Sequence, residues 1–169
     1  MAVTSGVSIK VADEVWVATI MLHQRYRERT DFSIEEIMEF AHSAKELRWI
    51  GPLRPGFYVH VVQHCVANRP PSPARYRMLV ETAPGRRRLF RPGDPCHPGR
   101  EEGKSIPKVE DLPENWFSGL LDWYRGWARD NVEERIKNDP LLALYGDGKD
   151  LWADEPADEY VRRLREGWE

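Results

Sequence analysis

The 169-residue chain has few cysteines and no long apolar run. Its two cysteines, Cys65 and Cys96, are too few for a disulfide framework. The longest apolar run, from Val15 to Leu22, is much shorter than the roughly 20 residues that a membrane-spanning helix needs. The first ten residues lack the apolar segment of a signal peptide. We therefore expect a cytoplasmic protein.

Motifs that would indicate catalysis are also scarce. The Gly146-Asp147-Gly148-Lys149 run lacks the earlier glycine of a phosphate-binding loop, and Asp150 stands where that loop needs Ser or Thr. No Ser/His/Asp or Cys/His arrangement of a nucleophile stands out in the sequence. The prediction is a protein without enzymatic activity and without a cofactor.

A metal site is the alternative hypothesis for the histidines and cysteines. His60 and His64 have the spacing with which two imidazoles share zinc on a helix, but Val61 occupies the position of the Glu in the catalytic version of that motif. The pairs His64-Cys65 and Cys96-His97 would form a site only if the later loop folded back onto the helix. We predict no metal, and a metal-assisted enzyme remains the alternative.

The net charge of −3 conceals two halves of opposite sign. Residues 1–100 contain 15 Lys and Arg against 10 Asp and Glu, whereas residues 101–169 contain 10 against 18. Residues 69–100 contain eight Arg against Glu81 and Asp94. A basic half joined to an acidic half indicates two partners, one of them a polyanion.

Three helices are predicted in the basic half. Residues 10–28 have apolar side chains at intervals of three and four. Ser33 and Glu36 have the spacing of a capping box, with Phe32 and Ile37 as the hydrophobic staple, so a second helix should begin at residue 34 and reach residue 47 or 48. A third helix is expected over residues 55–68, with Tyr58 on its apolar side, before a proline-rich stop.

A hairpin should follow the third helix. The period changes to alternation over residues 76–81, residues 83–86 predict a turn, and residues 87–91 predict the returning strand. Three helices followed by a hairpin with an arginine-rich turn have the order of a winged helix-turn-helix, in which the third helix enters the major groove and the hairpin is the wing. The fold class expected is therefore mainly α with a β-hairpin: a winged helix, then a long amphipathic helix and an extended or helical C-terminal arm.

The candidate DNA-binding residues lie on the third helix and the hairpin. Amide and guanidinium groups pair with base edges or phosphates, and arginines of a wing contact phosphates or the minor groove. The candidates are His60, Gln63, His64, Asn68, Arg69, Arg75, Arg77, Arg86, Arg87 and Arg88.

A Pro- and Gly-rich linker or packed loop is expected over residues 92–113, across the boundary between the basic and acidic halves. A long helix is expected over residues 114–138, with an aromatic face that suits a core or a dimer interface. The apolar groups of residues 139–169 lie on segments too short to be stable alone, since isolated helices below about 12–15 residues are marginal in water. This composition is typical of an arm that folds when it binds a groove.

The last segment resembles the C-terminal end of VapB-type antitoxins, which neutralise PIN-domain ribonuclease toxins. The pattern is Asp139-Pro140-Leu141-Leu142-Ala143-Leu144, then Gly146, Gly148-Lys149 and Trp152, and finally the run 158–168 (DEYVRRLREGW). The resemblance implies that an N-terminal domain binds DNA and that the tail wraps around the toxin, with one of Arg162, Arg163 or Arg165 reaching its acidic active site. It implies as anchors Leu141, Leu142, Leu144, Trp152, Tyr160, Val161, Leu164 and Trp168.

The first half resembles a prokaryotic winged-helix family of unknown function. The resemblance rests on residues 58–60, 63–71, 75–79 and 89–94, and it implies a fold but no activity. The predicted organisation is a DNA-binding domain over residues 1–100, a linker and amphipathic helix over 101–138 and a toxin-binding arm over 139–169. The alternative is a standalone DNA-binding protein whose tail packs internally or self-associates. A homodimer is expected if the operator is palindromic.

Overall fold

The computed structural model describes residues 9–44, 53–112 and 118–140, together with Leu47 and Arg162. The chain divides into two compact units, Met1–Ala128 and Arg129–Glu169. The described elements combine helices with a small antiparallel sheet, so the protein belongs to the mixed α/β class. None of the helices in these residues is long and apolar enough to cross a bilayer.

The first unit begins with a helix, a very short strand and a second helix. α1 spans Val11–Arg25, β1 spans Phe32–Ser33 and α2 spans Ile34–Ser43. The predicted capping box is confirmed, because the Ser33 hydroxyl accepts from the Glu36 amide at 3.1 Å and the Glu36 carboxylate accepts from the Ser33 amide at 2.7 Å. Both staple residues, Phe32 and Ile37, are fully buried. α2 ends earlier than predicted, because Ala44 has extended backbone geometry.

The third helix is shorter than predicted and irregular. α3 spans Phe57–Val59 and continues as a π-helical segment over His60–His64; the two together, residues 57–64, are called the third helix below. The prediction of a helix to residue 68 is wrong, since the chain joins the sheet after His64. The Cys65 carbonyl accepts from the amides of Met78 and Leu79, and the Ala67 amide donates to the Leu79 carbonyl.

The hairpin consists of β2 (Leu79–Ala83) and β3 (Arg86–Leu89). Its turn contains Gly85 at φ +73°, a left-handed conformation that favours glycine. The unpredicted β1 pairs with β3, so the sheet order is β1-β3-β2. A strand of two residues is too short to show alternation in a sequence.

The remainder of the first unit packs on the helices and the sheet. The segment after β3 forms short 3-10 turns at Pro98–Arg100 and Val109–Asp111, consistent with a packed loop. α4 spans Ser118–Asn138, and its part up to Ala128 belongs to this unit. Leu120, Leu121 and Tyr124 are buried in the core beside Trp16, so the aromatic face is a core face here.

Candidate nucleic-acid interface

The third helix and the hairpin are joined by an arginine network around Glu81. The Glu81 carboxylate accepts from Nε and Nη2 of Arg69, both at 2.8 Å, and from Nη1 of Arg87 at 3.0 Å. The hydrogen bonds from Arg69 lower the pKa of Glu81, and they outweigh the burial of the carboxylate, which raises it. Two guanidinium groups share one carboxylate, so the network keeps a positive charge.

Arg87 is a structural residue. Its side chain is fully buried, and its Nε and Nη2 donate to the carbonyls of Val61 and Val62 at the end of the third helix. Burial lowers the pKa of this guanidinium, and Glu81 partly compensates. The prediction that Arg87 contacts a phosphate is therefore corrected, because a side chain without exposed surface cannot reach one.

Asn68 binds the backbone of β2 through both the oxygen and the nitrogen of its side-chain amide. Its Nδ2 donates to the Glu81 carbonyl and its Oδ1 accepts from the Glu81 amide, each at 2.9 Å. The side chain thus imitates a neighbouring strand and satisfies both backbone groups of one residue. It lies after the third helix rather than on it.

Two further arginines of β3 are paired with aspartates. Arg86 donates from Nε and Nη2 to Oδ1 of Asp31 at 2.8 and 2.6 Å, and these bonds lower the pKa of Asp31. Arg88 places both terminal nitrogens on the carboxylate of Asp94, with Nη2 at 2.7 Å from Oδ1. The Arg86 side chain stays 38% exposed, whereas that of Arg88 is 12% exposed.

Arg75 and Arg77 precede β2 and, unlike the other candidate arginines, form no ion pair with a described carboxylate. Arg77 donates from Nε to the Gly103 carbonyl at 2.8 Å and lies 5.5 Å from the centre of the Phe90 ring. Arg75 is exposed. Neither has a carboxylate within ion-pair distance in the part of the chain that the structure describes.

The polar residues of the third helix also have internal partners. The Gln63 side chain donates from Nε2 to the Pro70 carbonyl at 2.7 Å. His60 Nδ1 lies 2.8 Å from the Gly56 carbonyl, and burial lowers the pKa of this imidazole. His64 packs edge-on against His60, with ring centres 4.9 Å apart, and its Nδ1 is buried.

The outward side of the third helix is apolar. Tyr58 is 53% exposed and Val59 is 42% exposed, which corrects the prediction that Tyr58 contributes to the core. The core side is formed instead by Phe57 and Val61, which are fully buried. No Lys or Arg lies within residues 57–64.

Sequence analysis missed Arg100, which organises this region. Its buried guanidinium donates five hydrogen bonds at 2.6–3.1 Å, all of them to main-chain carbonyls. The acceptors are Gln63, His64, Arg69, Pro70 and Tyr76. Burial lowers the pKa of Arg100, and its donors satisfy carbonyls at the C-terminal end of the third helix. An arginine within a Pro- and Gly-rich loop carries no local signal of such a role.

The predicted metal candidates are not assembled into a site. Within the described ranges, no group of three His, Cys, Asp or Glu side chains is placed to hold a metal ion. Cys65 is fully buried, and burial raises the pKa of its thiol. Cys96 is partly exposed, and its thiol contacts the carbonyl of His97.

The candidate toxin-binding residues lie outside the described residues, with one exception. Arg162 is described as helical and exposed. The predicted roles of Leu141, Leu142, Leu144, Trp152, Tyr160, Val161, Arg163, Leu164, Arg165 and Trp168 stay predictions.

Comparison with known proteins gives no relative. No protein-family model, curated protein or solved structure matches the chain.

Proposed function

We propose that the chain is a non-catalytic, antitoxin-like regulator whose first unit binds DNA and whose C-terminal arm binds a PIN-domain ribonuclease. The order of elements supports a winged helix-turn-helix for the first unit. A strand between the first two helices pairs with the returning strand of a hairpin, in the order β1-β3-β2, as in winged helices. Such a domain presents the third helix and the hairpin to DNA.

Charge is the observation that carries DNA binding. Residues 69–100 contain eight arginines, and among the described residues they form ion pairs with Glu81, Asp94 and Asp31. Eight guanidinium groups against these three carboxylates leave an excess of positive charge in this part of the described chain. Among the predicted residues, Arg75, Arg77, Arg86 and Arg69 keep surface for a phosphate.

Binding of a labelled duplex at several salt concentrations tests this function. With about three or four phosphate contacts, the slope of log K against log salt should be about −3 to −4. Arg75→Ala should weaken binding and reduce the slope by about 1. The matched control is Arg125→Ala, an exposed arginine of α4 that pairs with Asp122, and it should leave the slope unchanged. An unaltered slope in Arg75→Ala would remove this residue from the interface.

The proposed role of the arm rests on its sequence pattern. Apolar anchors alternate with a cluster of three arginines over residues 158–168, and a guanidinium pairs well with the carboxylates of a metal-dependent ribonuclease site. Co-expression of the full chain with a PIN-domain ribonuclease encoded beside it should give a complex and restore growth. A chain truncated after Asn138 should do neither. Equal behaviour of the two chains would contradict the proposal.

The exposed face of the third helix favours a second candidate, contact with another protein. Tyr58 and Val59 are uncharged and exposed where a DNA-binding helix often carries basic groups. If this face mediates self-association, light scattering of the native protein should give the mass of a dimer. The double variant Tyr58→Ser and Val59→Ser should give the mass of a monomer. A DNA complex that these changes weaken would favour the first candidate instead.

A further inference from the structure

We propose that the first unit binds duplex DNA through its phosphate backbone and shape, without recognition of base edges by the third helix. This inference rests on the proposed DNA-binding function and narrows it. Direct recognition in the major groove relies on side chains that offer two hydrogen-bonding atoms at once, chiefly Arg, Asn and Gln. The region contains three predicted candidates of this kind: Asn68, Arg69 and Gln63.

Asn68 and Arg69 use both of these atoms within the protein, and Gln63 uses its amide nitrogen. Asn68 has both its oxygen and its nitrogen on the backbone of Glu81. Arg69 directs the Nε and Nη2 edge of its guanidinium at the Glu81 carboxylate, and its Nη1 faces the Val62 carbonyl at 3.4 Å. Gln63 donates from its amide to the Pro70 carbonyl. A base edge would have to replace bonds that already exist. For Asn68, breaking them would leave the amide and the carbonyl of Glu81 without this partner.

The other polar side chains of the third helix do not offer a bidentate group in place of Asn68, Arg69 and Gln63. The His60 ring has Nδ1 against the Gly56 carbonyl, and His64 has its Nδ1 buried. The exposed residues are Tyr58, with a single hydroxyl group, and Val59, which has no polar side-chain atom. Apart from Gln63, whose amide nitrogen is bonded to the Pro70 carbonyl, the third helix has no bidentate group for a base.

Phosphate contacts, in contrast, remain accessible beside the helix. Arg75 is exposed in the loop before β2. Arg86, at the start of β3, commits Nε and Nη2 to Asp31 and keeps a 38% exposed side chain. Contacts of this type position a protein on DNA but carry no direct sequence information. Any preference among sequences would therefore come from DNA shape and flexibility.

Selection from a random duplex library with the full-length protein tests the inference. DNA retained at low salt should show no position at which one base pair is enriched more than about fivefold, because one good bidentate contact gives at least that discrimination. A preference that comes from DNA shape is instead spread over neighbouring positions. An enriched motif with strong preferences at several positions would overturn the inference and leave the DNA-binding function standing. A failure to retain any duplex at low salt would overturn both.

Two substitutions sharpen the test. Gln63→Ala should change affinity for a mixed-sequence duplex by less than about twofold, because its amide is committed to Pro70. Arg75→Ala should lower affinity about threefold or more at low salt through its lost phosphate contact. A larger loss in Gln63→Ala than in Arg75→Ala would overturn the inference.

Discussion

Acidification should destabilise the first unit through His23, a buried histidine near the end of α1. The ring is 2% exposed and lies between the rings of Phe32 and Trp127, at 4.9 and 5.0 Å between centres. Its Nε2 faces the Leu89 amide at 3.4 Å. Burial, reinforced by the charges of Arg88 and Arg91, lowers the pKa of His23 from 6.5 to about 3.

The sign and size of the effect follow from proton linkage. The pKa is lower in the folded state, so this stability is fully present above about pH 6.5 and is lost as the pH falls towards 3. Between about pH 7.5 and about pH 5, the unfolded chain takes up a proton that the folded chain does not. The free energy of unfolding should fall by about 2 kcal/mol from His23 alone.

Urea denaturation at each pH, followed by circular dichroism, measures this change. His23→Gln keeps an acceptor but does not titrate, so it should lose about 2 kcal/mol less than the native protein over the same interval. His42→Gln is the matched control, since His42 is exposed at the end of α2. This variant should lose as much free energy of unfolding between the two pH values as the native protein does. An identical loss in His23→Gln and the native protein would refute the reasoning, whatever the absolute stabilities.

Three further predictions concern stability and use the same denaturation assay. Arg100→Ala removes five hydrogen bonds to main-chain carbonyls and should cost more than about 4 kcal/mol, with Arg100→Lys costing less. A loss below about 1 kcal/mol would contradict the assigned role. Gly103→Ala would place a Cβ 1.7 Å from the Arg75 carbonyl oxygen and should prevent normal folding. Gly126→Ala is the control in an open helical position, and it should raise the free energy of unfolding by up to about 1 kcal/mol. Ser33→Ala removes the α2 cap and should cost about 1 kcal/mol, compared with a smaller effect for Ser43→Ala at the exposed end of the helix; equal effects would argue against the cap.

Local signals predicted the elements better than their ends. The capping box at Ser33 and the turn containing Gly85 were located correctly because each depends on residues adjacent in sequence. The end of the third helix was not, because the backbone after His64 bonds to Met78 and Leu79, more than ten residues away. The exposure of Tyr58 was missed because Phe57 and Val61 occupy the core side of the third helix.

The sequence alone determined the order of the three helices and the hairpin, the start of α2 at its cap, the excess of arginine in residues 69–100 and the separation of basic and acidic halves. Only the tertiary structure decided what each arginine does. Arg87 and Arg100 donate to main-chain carbonyls, Arg69 and Arg86 pair with carboxylates, and Arg75 is exposed to solvent. Neighbours in sequence cannot distinguish these roles, because the guanidinium is the same in each and its partners come from distant parts of the chain.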